Sequence, residues 1–170
     1  MFSRRAWHLL ALSSAASLAI PRELWASSSR ELFTLARTKN ANVIKYAVRV
    51  DRDEHLDRKN PIEAYWLMRA EDGRREELTW TERRLAYGFS VSRVSQDGLI
   101  LRLSACATRE LHVRPTVAGY RAELDISGQR AFLQRIFVRT DEGSLIPRVR
   151  YVEISGSTSD GQRVQERIAH

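Results

Sequence analysis

Cysteine is almost absent. Cys106 is the one thiol in the chain, so no intramolecular disulfide forms in any redox compartment and the fold must rest on its core. Lysine is nearly as scarce, confined to Lys39, Lys45 and Lys59, with arginine supplying every other fixed cation. The guanidinium fork suits carboxylate and phosphate, yet the acids are interleaved with the arginines, and a GC-rich coding sequence is the simpler source of the bias. Beyond the N-terminal segment the histidines are His55, His112 and His170, scattered at no metal-ligand spacing, which argues against a zinc site. No cofactor fingerprint stands out, so no cofactor is expected. A basic stripe with interleaved aromatics is also missing from the linear sequence, which argues against nucleic acid as a partner.

Long hydrophobic runs are lacking too. The longest uncharged stretch, Ala6 to Ile20, follows the basic pair Arg4 and Arg5 and breaks at Pro21 and Arg22. A spanning helix needs about 20 apolar residues, so the segment reads as a secretory signal peptide rather than an anchor. Cleavage is expected after Ala26, giving a signal peptide of residues 1–26 and a single domain of residues 27–170 with no membrane span. Ser3-Arg4-Arg5-Ala6-Trp7 resembles a twin-arginine signal, so the expected location is periplasmic or secreted, by the Sec or the twin-arginine route. Removing Arg4, Arg5, Arg22 and Glu23 takes the formal charge from +7 to +5, a moderately basic domain.

What fills the remainder is period-two alternation. Leu32 to Lys39, Val43 to Asp51 and Ile62 to Ala70 read as strands, with Ile44, Tyr46, Val48 and Val50 facing inward and Lys45 outward. Pro61 sits where a missing N–H is tolerated at a strand start. Thr79 and Glu82 have the spacing of a capping box, which predicts one short helix, Trp80 to Tyr87, closed by Gly88 in a left-handed conformation. Strand-and-turn signals follow at Phe89 to Val94, Leu99 to Ala105, Leu111 to Val113, Tyr120 to Ile126, Ala131 to Arg139, Arg148 to Ser155 and Arg163 to Ile168. The expectation is a mainly β domain, an antiparallel meander of about nine strands closed into a barrel or sandwich, with the helix after the third strand. The pattern sets no oligomeric state.

Several groups invite a chemical reading. Tyr65, Trp66 and Met68 on the third strand, with Trp80 and Tyr87 on the helix, concentrate side chains that line an apolar cavity in some barrels and simply fill the core in others. Alternation puts Trp66 and Met68 on one face and Tyr65 and Leu67 on the other. Arg83 and Arg84 on the helix, and Arg135, Arg139, Arg148 and Arg150 on late strands, are candidates for an anion-binding surface. Asp51, Asp53, Glu54 and Asp57 form the densest acidic cluster, but the glycine and terminal glutamate of a calcium loop are not at their offsets, so a solvated loop is the better reading. Cys106 with His112 would be a nucleophile and base only if the fold brought them together.

Asn60-Pro61-Ile62-Glu63-Ala64-Tyr65-Trp66, Arg75-Glu76-Glu77-Leu78, Glu82 to Phe89 and Arg37 to Asn42 carry a resemblance to the DUF4833 family, a domain of unknown function, from Leu32 to about Ile168. The resemblance implies a glycine at the position where Glu54 stands. The resemblance implies a β-rich bacterial envelope domain and brings no catalytic or binding residue with it. The leading expectation is a noncatalytic module for a small apolar or amphipathic ligand or for an envelope protein. An envelope hydrolase using Glu63, Glu77 or Glu82 competes with it, and requires two carboxylates flanking a pocket without being consumed by arginines.

Overall fold

The computed structural model describes residues 30–169 except 39, 96 and 142–147; the expected export segment, residues 1–26, and His170 lie outside the described residues. The described chain is mainly β. Eleven strands join in one sheet: β1 (Glu31–Arg37), β2 (Val43–Val48), β3 (Ile62–Leu67), β4 (Arg75–Glu77), β5 (Phe89–Ser95), β6 (Gly98–Leu103), β7 (Leu111–Thr116), β8 (Gly119–Ile126), β9 (Gln129–Thr140), β10 (Val149–Ser157) and β11 (Arg163–Ala169).

The long strand β9 organises the sheet. Its first residues pair antiparallel with β8, Phe132 opposite Glu123 and Gln129 opposite Ile126, while Arg135 to Val138 pair parallel with Thr34 to Arg37 of β1. β8-β7-β6-β5 and β1-β2-β3-β4 thus leave the same edge of β9 as two arms, and β10 with β11 extends from its other edge. The parallel pairing of β1 with β9 departs from the expected all-antiparallel meander. The sheet curls into a half-barrel and buries one cluster drawn from both arms, including Phe33, Ile44, Tyr46, Leu101, Leu124 and Ile154.

Local rules account for the turns. Ser127 and Gly128 both have positive φ, +50° and +78°, the two-residue geometry whose twist matches a right-handed hairpin between β8 and β9. β2 departs from simple alternation because all six of its residues are buried. Lys45, expected outward, lies between Thr34 and Tyr65 of the neighbouring strands and is paired with Glu31. A buried ammonium is tolerable only with such a partner.

The capping box forms as expected. Thr79 Oγ1 accepts from Glu82 N at 3.3 Å and Glu82 Oε2 accepts from Thr79 N at 2.9 Å, starting α1 (Trp80–Glu82). The helix then widens into a π-helical turn, Arg83–Tyr87. Gly88 is not left-handed: its φ of −72° and ψ of 171° are extended backbone. Glycine is required there for a different reason, since a Cβ would stand 1.8 Å from the carbonyl oxygen of Arg83.

Candidate functional site

Trp66 and Tyr87 are brought together. The Trp66 ring meets Tyr87 edge-on at 5.5 Å, and its Nε1 donates to Glu82 Oε1 at 3.1 Å, so the capping glutamate also satisfies the indole. Arg37 lies 4.9 Å above the Trp66 ring and donates to the Tyr87 hydroxyl at 3.1 Å. Tyr46 stacks on Phe33 at 4.6 Å and donates its hydroxyl to the Tyr87 carbonyl at 2.8 Å; burial pushes its phenol far above the ordinary range. Met68 packs against this cluster half-buried. Tyr65 lies on the opposite face beneath the Arg75 guanidinium, 3.7 Å from its ring centre, and Trp80 is 70 % exposed with Arg84 above it. The five aromatic and methionine candidates therefore divide between core, outer face and solvent.

A groove of about 220 Å³ along β3 gathers Glu63, Tyr65, Arg75, Glu77 and Arg83. Its carboxylates are already engaged. Glu63 accepts from Arg49 at 3.2 Å and Arg75 at 3.0 Å, and Glu77 lies 3.8 Å from Arg83. The third carboxylate, Glu82, is held in the capping box. Of the six arginines proposed for anions, four have separate partners: Arg83 donates to the Leu78 carbonyl, Arg84 lies over Trp80, Arg135 lies over Phe137 of β9, and Arg150 of β10 is paired with Asp141. Cys106, in a short 3₁₀ turn (Ser104–Cys106), has Arg109 and Glu166 as its charged neighbours, and burial raises its thiol pKa, disfavouring the thiolate. His112 sits on β7 opposite Glu123.

A cleft of about 770 Å³ opens between the β2–β3 loop, the end of β5 and the start of β8. Asp51, His55, Leu56, Asp57, Arg58, Lys59, Ser95 and Tyr120 line it. The loop's carboxylates fold the loop itself. Asp51 Oδ1 accepts from Asp53 N at 2.9 Å and His55 N at 3.0 Å, and Asp57 Oδ1 accepts from Lys59 N at 2.9 Å and Asn60 N at 3.3 Å. These are side chains mimicking backbone turns, and they account for the close approach of Asp51, Asp53 and His55, whose donor atoms lie within 4.8 Å of one another. Arg58 and Lys59 form no ion pair with any described residue. Leu56 is buried at the cleft floor, bridged to Val50, and Tyr120 forms a half-buried wall whose hydroxyl lies 3.5 Å from the Glu54 carbonyl.

Glu54 has a φ of +62°, the conformation for which glycine is suited. Left-handed backbone costs a side-chain-bearing residue about 1–2 kcal/mol, partly offset by glycine's larger loss of freedom on folding. Glu54→Gly therefore raises stability by about 0.5 kcal/mol, read as a small increase in Tm, because the exposed Arg30 pair it deletes is worth little. A fall in Tm would show that the side chain holds the loop.

The profile of one protein family, described as a domain of unknown function (DUF4833), matches residues 33–167. No curated protein and no solved structure matches the chain.

Proposed function

The chain belongs to the DUF4833 family, and from that premise we propose that it is a noncatalytic binding module of the bacterial cell envelope, taking a small amphipathic anion into the cleft at the β2–β3 loop. The observation that carries this reading is the coincidence of space with uncommitted charge. The cleft volume lies in the range used by small-molecule sites, and Arg58 and Lys59 at its rim have no carboxylate partner among the described residues. Leu56 and Tyr120 offer the apolar surface that an amphipathic molecule needs. Binding is favoured over the hydrolase reading because Glu63 and Glu77 are engaged by arginines and Glu82 by the helix start. The envelope address is supported by the signal-like pattern of residues 1–26.

The test compares native and denaturing mass spectrometry on protein recovered from the periplasm of an expressing bacterium. The native mass should exceed the bare chain by roughly a few hundred daltons, the size of molecule such a cleft holds, and the excess should vanish on denaturation. Replacing Arg58 and Lys59 together by glutamine should lower ligand occupancy about tenfold, the worth of one charge-assisted hydrogen bond, without changing Tm. A bare native mass, or equal occupancy in the variant, overturns the reading; an integer multiple of the chain mass points to self-assembly instead.

A further inference from the structure

The sheet face turned away from the core carries a second feature, independent of the cleft. On β8–β11 the inward positions are apolar, among them Ala122, Leu133, Ile136, Ile154 and Val164, so the alternate residues point outward. Phe132, Phe137 and Tyr151 occupy that outer face half-buried, with Phe137 and Tyr151 6.4 Å apart. Guanidinium groups lie over all three rings: Arg121 at 4.8 Å from Phe132, Arg135 at 5.2 Å from Phe137 and Arg167 at 4.4 Å from Tyr151. Arg163, opposite Ser157, continues the array on β11. Glu153, between these strands, is neutralised by Arg167 at 3.0 Å. Arg121, Arg135 and Arg163 are exposed and form no ion pair with any described residue. A basic surface with interleaved aromatics, missing from the linear sequence, is thus assembled by strand pairing.

We infer that this face docks on an anionic phospholipid bilayer. Charge complementarity supplies the attraction, and the geometry selects the partner. A guanidinium stacked on a ring has a fixed plane and keeps its N–H edge free for a phosphate. Neighbouring strands are about 4.8 Å apart, so β8 to β11 spread the uncommitted arginines over roughly 14 Å across the sheet as well as along it. Such a two-dimensional array matches a field of headgroups better than a single linear polyanion. Half-buried aromatic rings suit the headgroup level, where one side of the ring is wet. No residue of β8 to β11 lines the cleft along β3, and the cleft at the β2–β3 loop meets these strands only at Tyr120, which alternates with the outward Arg121.

The test is cosedimentation of the periplasmically recovered protein with vesicles of phosphatidylglycerol mixed into phosphatidylcholine, against vesicles of phosphatidylcholine alone. The neutral vesicles read any apolar attachment through residues 1–26. The protein should sediment with the anionic vesicles and be released as ionic strength rises. Replacing Arg121, Arg135 and Arg163 by glutamine should weaken binding about a hundredfold, since each cation near such a surface contributes roughly fivefold. The triple lysine variant keeps the charge and should bind within about fivefold of the parent. Equal binding to neutral vesicles, no loss in the glutamine variant, or the same loss in both variants would overturn the inference. So would binding of soluble polyphosphate by a protein that ignores the vesicles, which would make a free polyanion the partner. Vesicle binding should be unchanged in the Arg58 and Lys59 variant, so this inference and the cleft reading fail separately.

Discussion

Gly88→Ala is expected to lower the stability of the domain by about 3 kcal/mol, at the upper end for forcing one methyl group into a filled space. The clash is with backbone. An added Cβ would stand 1.8 Å from the Arg83 carbonyl oxygen and 2.9 Å from its carbon, so no rotamer change relieves it. Moving Gly88 away is costly as well, because its own carbonyl accepts from Ser104 N at 2.9 Å and the preceding Tyr87 carbonyl accepts from the buried Tyr46 hydroxyl. Gly73 supplies the control. Its φ is +74° and an added Cβ would meet nothing within 4 Å, so Gly73→Ala loses only the left-handed preference, about 1 kcal/mol. Urea unfolding of both variants checks the difference. Equal losses would show that the exit of the π-helical turn shifts freely and that Gly88 is not fixed by contact.

That glycine marks where a sequence rule reaches its limit. A glycine after a capped helical run ordinarily signals a left-handed end, and the capping box of Thr79 and Glu82 was legible because both partners lie within four residues. The π-helical turn was not legible, since hydrogen bonds that skip one further residue leave no mark in the apolar pattern. It also separates Trp80 from Tyr87. Seven residues apart on a regular helix they would share a face; with the wider turn, Trp80 stands in solvent while Tyr87 packs on Trp66.

The strands show the same division between local and distant causes. Alternation exposed most of them, including the placing of Trp66 and Tyr65 on opposite faces of β3, because a half-buried strand writes period two into its residues. β4 escaped notice: Arg75-Glu76-Glu77 has no apolar residue and becomes a strand only by pairing with Tyr65, Trp66 and Leu67. The parallel contact of β1 with β9 joins residues about a hundred positions apart, and neither segment carries a local signal for it. The cleft shares this property, as Arg58, Ser95 and Tyr120 come from three separate segments. Lys59 and Arg58 drew no notice in the sequence because a basic pair in a polar loop looks like any solvated turn.

A similar long-range join makes Glu166 the most consequential titrating group. Arg109 holds its carboxylate in a two-pronged pair, donating from Nη1 at 2.8 Å and also from Nη2, while Ser127 N donates at 2.8 Å. Arg109 also donates to the Asp125 carbonyl at 3.0 Å, and Ser127 Oγ donates to the Gln165 carbonyl at 3.0 Å. The loop before β7, the β8–β9 turn and β11 are thereby tied at one point. The Arg109 hydrogen bonds, followed by that from Ser127, pull the Glu166 carboxyl down from its usual 4.5 to about 2. A depressed folded-state pKa stabilises the fold fully above the unfolded value, and the contribution is lost as pH falls from about 4.5 to about 2. Allowing for solvent screening of a side chain still about one-fifth exposed, the pair is worth about 2 kcal/mol. Glu166→Gln should therefore cost about 2 kcal/mol in urea unfolding at neutral pH. The gap between parent and variant should narrow progressively below pH about 4.5, because protonation turns the parent's carboxylate into a neutral group like the amide. A gap that stays constant down to pH about 3 would assign the loss to packing rather than to the charge.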